Sequence, residues 1–146
     1  MEFNELVADF AARYKVEGLV SENGSASLKI DDIVITLVAG NSQLLASAEI
    51  GEPPTEGKAV FADTLLEANL ESEAFFAKSH ETGRYLILRR LAFAGLDPAT
   101  FDTALEALVN AAETWRKFLT DFRPLAEDSN EKVDPHLFSS NGFLQV

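Results

Sequence analysis

Between Ser25 and Ile50 the apolar residues recur at every second position, whereas on both sides of that stretch they recur every third or fourth. A period of two belongs to extended chain and a period near 3.6 to an α-helix, so the chain must change backbone type twice and pack helices against strands. Within the central stretch, Leu28 and Ile30 alternate with Lys29, Asp31-Asp32 reads as a turn, and Ile33-Val34-Ile35-Thr36-Leu37-Val38 is a β-branched run. Ala39-Gly40-Asn41-Ser42 interrupts it before Leu44-Leu45-Ala46-Ser47-Ala48-Glu49-Ile50. Three consecutive antiparallel strands joined by short turns are predicted here.

The flanking segments are read in the same way. Phe3, Leu6, Val7, Phe10, Ala11 and Tyr14 mark one face of a first helix over about residues 2–16, with Glu2, Glu5, Asp9 and Arg13 on the other and Gly18 as its stop. Gly51-Glu52-Pro53-Pro54 ends the strands, because prolines cannot continue a central ladder. Thr55 is the expected cap of a second helix reaching Leu70. Its apolar residues spread over two sides, which calls for two partners: its own sheet and a second subunit. Ala74–His80 and Arg84–Leu91 form a hairpin around Glu81-Thr82-Gly83. Asp97-Pro98 then opens a third helix carrying Phe101, Leu105, Leu108, Ala112, Trp115, Leu119 and Phe122, ending near Arg123. The expected order is α-β-β-β-α-β-β-α: an α+β fold with an antiparallel sheet and three helices. The domain is placed at residues 1–123, and residues 124–146 are read as an acidic linker and an apolar tail ending Phe143-Leu144-Gln145-Val146.

Composition narrows the function. Twenty-four acidic against 12 basic residues give a formal charge of −12, which argues against wrapping nucleic acid or inserting at an anionic membrane. The absence of cysteine removes disulfides, thiolate nucleophiles and Cys-ligated zinc. With 47% apolar residues and 11 phenylalanines, one domain of 146 residues has a full core. No secretory leader or membrane span is read, so a cytoplasmic location is expected.

Catalytic constellations do not emerge. His80 and His136 are separated by the whole third helix, and no phosphate-cradling glycine loop or nucleophile elbow is present. Asp31-Asp32 is read as a turn rather than a calcium loop. Arg89-Arg90 is the one local basic pair: alternation turns one of them away from the core, to pair with helix acids or to dock an acidic ligand segment. Trp115 falls on the apolar register of the third helix and is read as core or subunit packing. Neither metal nor cofactor is expected.

Five local sequences, in this order, resemble one family. They are Leu28-Lys29-Ile30-Asp31-Asp32 before an apolar strand; Ala48-Glu49-Ile50-Gly51-Glu52-Pro53-Pro54; Leu65-Leu66-Glu67-Ala68-Asn69-Leu70; Thr82-Gly83-Arg84-Tyr85-Leu86-Ile87-Leu88; and Leu105–Arg116 with its Ala112-Glu113-Thr114-Trp115. Together they are similar to the class I type III secretion chaperones, the CesT/Tir chaperone family, over about residues 1–123. The resemblance implies a bacterial, cytoplasmic, non-enzymatic homodimer. Such a protein binds the N-terminal segment of a secreted effector in extended form, keeps it export-competent and passes it to the export apparatus, including its ATPase. It also implies an effector-binding surface around Phe3, Leu6, Phe10, Ile33, Ile35 and Leu37, and a dimer contact around Val60, Phe61, Leu65, Leu66 and Phe75. A regulatory protein of the same fold, sequestering a transcriptional activator or anti-activator, is the alternative. The tail is open to three roles: strand addition, groove occupancy or docking on the export apparatus.

Overall fold

The computed structural model describes residues 2–20 and 23–124. The order is α1 (Phe3–Tyr14), β1 (Glu17–Val20), β2 (Ser25–Ile30), β3 (Ile33–Ala39), β4 (Gln43–Gly51), α2 (Lys58–Ala68), β5 (Phe75–Lys78), β6 (Tyr85–Ala92) and α3 (Pro98–Asp121). The strands form one antiparallel sheet ordered β1-β2-β3-β4-β6-β5. The α+β class and the three helices are as expected. The sheet has one strand more than the sequence pattern indicates: β1 precedes the meander and pairs with β2 from Glu17↔Lys29 to Val20↔Ala26.

That extra strand comes with a different reading of Gly18. α1 opens with the Glu5 carboxylate accepting the Glu2 N–H at 2.9 Å. It closes at Lys15, which adopts the left-handed conformation at φ 54°. Gly18 then lies inside β1, where a Cβ would stand 3.0 Å from Leu28 Cδ2 and 3.2 Å from Ala11 Cβ. The glycine is there to let α1 and β2 close together, not to stop the helix.

α2 also begins later than expected. Its cap is Gly57 at φ 74°, not Thr55. Phe122 and Pro124 press on the Gly57 backbone, and a Cβ there would meet Pro124 at 2.7 Å. Only glycine meets both demands, so the long-range packing sets the helix start. α2 stops at Ala68, two residues before Leu70, which is exposed. α3 starts as the sequence predicts: Pro98 occupies the first turn and the Asp97 carboxylate accepts the Thr100 N–H at 2.8 Å. That bond holds the Asp97 carboxyl below its usual range.

All three helices pack on one face of the sheet. Leu6, Val7 and Phe10 of α1, Phe61 and Leu65 of α2, and Phe101, Leu105, Leu108 and Ala112 of α3 join Leu28, Ile33, Ile35, Leu37, Leu44 and Ile87 in one continuous core. Arg116 of α3 fastens this layer to the sheet by donating to the Glu49 carbonyl at 2.9 Å and the Asp32 carbonyl at 3.2 Å. Arg13 of α1 fastens α1 to α3 by gripping Asp102 with both terminal nitrogens, at 2.6 and 2.8 Å.

Candidate partner-binding surfaces

Alternation along each strand sends every second side chain to the face the helices do not cover. The strand register lines these side chains up in rows. One row runs Ser25, Val38, Leu45, Arg90; the next runs Ser27, Thr36, Ser47, Leu88, Phe75; a third runs Glu49, Leu86, Ala77. Val34 and Val38 are 45% and 47% exposed. Leu45, Leu86 and Phe75 are half-buried by their neighbours alone. Leu88 is buried yet stands outside the main core. The Arg90 guanidinium lies 4.5 Å over the Phe75 ring, so this cation spreads across an aromatic surface. Among the described residues no layer covers this mixed face, and its exposed and half-buried aliphatic side chains form a candidate surface for a partner.

The two ends of the sheet differ. At the β5 edge the Asn69 side chain accepts the Phe76 N–H at 2.6 Å and donates to the Phe76 carbonyl at 3.4 Å. The end of α2 thus occupies backbone groups that an added strand would use. At the β1 edge no strand pairs on the far side among the described residues. An unpaired edge is a template for an extended segment.

A second apolar surface lies on α2 and the end of α3. Phe61 stacks on Tyr85 and Phe118 with centroids 5.5 Å away in each case, and meets Phe122 edge-on at 5.1 Å. Trp115 continues the cluster between Phe76 and Phe118. Phe118 brings the cluster to the surface at 41% exposure, and Val60, Leu66 and Leu70 of α2 and its C-terminal end are more exposed still.

The expected site residues divide between these surfaces and the interior. Leu6, Phe10, Ile33, Ile35 and Leu37 lie inside the core and Phe3 packs at its margin. Phe61 and Leu65 are interior as well, whereas Val60 and Leu66 are exposed and Phe75 lies on the open sheet face. Val34, Val38, Leu45 and Leu86 are the open-face residues that sequence reasoning missed, with Leu88 buried among them. The signal was present: the run Ile33–Val38 is apolar on both faces, but a period of two cannot say which face the helices take. Arg90 is the arginine that turns outward; Arg89 pairs with Glu73 at 3.1 Å, an acid in the loop after α2 rather than on a helix. His80 is exposed beside the β5–β6 turn. His136 and the 124–146 tail, beyond Pro124, lie outside the described residues. Among the described residues no group of three potential metal ligands occurs, and no helix is long and apolar enough to cross a membrane.

Known proteins match this arrangement. A chain of the ExsC–ExsE complex is 26% identical with a TM-score of 0.70, over 87% of this chain and 100% of that one. A chain of the Yersinia pestis type III secretion chaperone SycH in complex with a fragment of YscM2 is 23% identical with a TM-score of 0.62, over 78% and 99%. A chain of the HopA1–SchA chaperone–effector complex is 18% identical with a TM-score of 0.65, over 79% and 93%. No curated protein sequence matches the chain. The family model of the Tir chaperone proteins (CesT) matches residues 5–116, the span from α1 to Arg116 of α3. The chain therefore belongs to the Tir chaperone protein (CesT) family.

Proposed function

We propose that this protein is a cytoplasmic type III secretion chaperone that acts by binding and not by catalysis. It holds the N-terminal segment of a secreted effector extended and soluble until export. The observation that carries this reading is the sheet face that no described helix covers, where Val34, Val38, Leu45 and Leu86 stand among serines and a threonine, next to a β1 edge with no further strand among the described residues. One stretch of an extended client can pair its backbone with β1, and a separate stretch crossing the open face can lay side chains on Val34, Val38 and Leu45. Leu6, Phe10, Ile33, Ile35 and Leu37 support that surface from below, with Phe3 at its margin. Two copies meet through Val60 and Leu66 of α2 and through Phe75, with Phe61 and Leu65 holding α2 in place. A dimer doubles the client surface and raises the effective concentration of the second half of a long client.

Purification of the tagged protein from its host, followed by mass spectrometry, tests the reading. A co-purifying secreted protein, bound through its N-terminal region, is expected. A transcriptional regulator as the bound partner would overturn it in favour of the sequestering role. Light scattering is expected to give twice the chain mass, and a strict monomer across micromolar concentrations would overturn the dimer.

A further inference from the structure

α1, α3 and the β2–β3 turn enclose an open groove of about 210 Å³ on the helical side of the molecule, away from the sheet face described above. Its floor is apolar, made by Phe10, Ile30 and Val109. Its walls carry the Asp31, Asp102 and Glu106 carboxylates, with the half-exposed Tyr14 ring at one side. Asp102 is already engaged: Arg13 grips it in a two-pronged pair, the Tyr14 hydroxyl donates to it at 3.1 Å, and Arg13 is also held by Asp9 at 2.7 Å. Asp31 and Glu106 have no ion-pair partner among the described residues. Among the described residues the groove therefore carries more negative than positive charge over an apolar floor, in a space the size of one long side chain.

We infer that this groove takes a basic side chain of the bound client, an arginine or lysine next to apolar residues, and so selects clients by charge. A Lys or Arg stem covers apolar surface while its head stays at the polar rim, which is the shape and polarity the groove offers. The Arg13–Asp102 pair is an internal example of a guanidinium bound at this wall. The Tyr14 ring already carries the Arg13 guanidinium 5.3 Å from its centroid, a second internal example of a cation held at this wall. An acidic client segment would be repelled by the same carboxylates. The inference rests on the chaperone reading for the identity of the client but not for the chemistry of the groove.

The probe is a pair of labelled synthetic peptides, one alternating leucine and arginine and one with glutamate in place of each arginine. Fluorescence anisotropy reads their binding to the full chain. The arginine peptide is expected to bind and the glutamate peptide not. The double variant Asp31→Asn/Glu106→Gln is expected to weaken the arginine peptide about tenfold. Both substitutions suit their positions, since Asp31 lies in a left-handed turn that asparagine also accepts and Glu106 is exposed on α3. Glu71→Gln/Glu81→Gln, which removes the same charge from exposed loops, is expected to leave binding unchanged. Equal loss in both double variants would show only diffuse attraction to an acidic protein and overturn the inference; so would no loss in either, or no binding of the arginine peptide. Co-purification separates the two readings. If the native secreted partner comes down equally with wild type and Asp31→Asn/Glu106→Gln, the groove fails and the chaperone stands. If no partner comes down while the arginine peptide still binds through Asp31 and Glu106, the chaperone reading fails and the groove stands.

Discussion

The two faces of the sheet are built from neighbouring residues of the same strands, yet they end in opposite environments. Ile33, Ile35 and Leu37 of β3 are at most 1% exposed, while Val34 and Val38, one position away, are nearly half exposed. The difference is not hydrophobicity, since both sets are aliphatic. It comes from α1, α2 and α3 all packing on the same side. One face therefore buries its apolar surface in folding the protomer, and the other leaves Val34 and Val38 accessible, the surface that the proposed function assigns to a client.

Substitutions that break this contrast are expected to differ in kind. Phe61→Ala removes a fully buried ring that stacks on Tyr85 and Phe118, and is expected to lower stability by about 3–5 kcal/mol in urea unfolding. Leu37→Ala, on the covered face of β3, is expected to cost about 2–5 kcal/mol in the same measurement. Arg116→Met keeps most of the side-chain volume but leaves the Glu49 and Asp32 carbonyls without their donor. A loss of about 1–2 kcal/mol is expected, with faster amide exchange at the β4 bulge and the β2–β3 turn.

Acid probes the covered face in another way. The Arg13 hydrogen bonds hold the Asp102 carboxyl below the usual aspartate range, against a smaller upward push from burial. A lowered folded-state value means that the unfolded chain takes up the proton first. The stabilisation is therefore complete above the ordinary aspartate value of about 3.9 and is lost as pH falls through the lowered one. Thermal unfolding at pH 7 and pH 3 is expected to show this loss in wild type and less of it in Asp102→Asn. The smallest stability effect belongs to the open face. Val34→Thr/Val38→Thr is expected to change stability by less than about 0.5 kcal/mol per site while weakening partner capture. If this variant instead unfolds like Leu37→Ala, the two faces are not different in role.

Much of the architecture could be read from spacing. The three helices, the meander, the hairpin and the Asp97-Pro98 start of α3 all follow from local periodicity and turn chemistry, which act over a few residues. β1 is not legible in the sequence, because Glu17-Gly18-Leu19-Val20 is too short to show a period and its glycine resembles a helix stop. The true reason for Gly18 lies in Leu28 and Ala11, brought near only by folding. The late start of α2 has the same origin, because Gly57 answers to Phe122 and Pro124 at the far end of the domain. The phenylalanines show the same limit. Phe10, Phe61, Phe76 and Phe101 are buried, whereas Phe75 turns to the open face and Phe118 reaches the surface, and nothing in their local sequence separates the two groups.

The sequence by itself determined the element types, their order and the α+β class, because backbone preference and apolar period are local properties. It also determined, through the CesT-like segments, the family to which the chain belongs. Only the tertiary structure decided which side of β3 is core and which is surface. Strand alternation defines two faces without ranking them, and the ranking comes from where helices distant in sequence come to rest. The same holds for the acidic groove: Asp31, Asp102 and Glu106 lie on a turn and a helix far apart in the chain, and only the packing of α3 beside α1 and that turn sets their charges around one apolar floor.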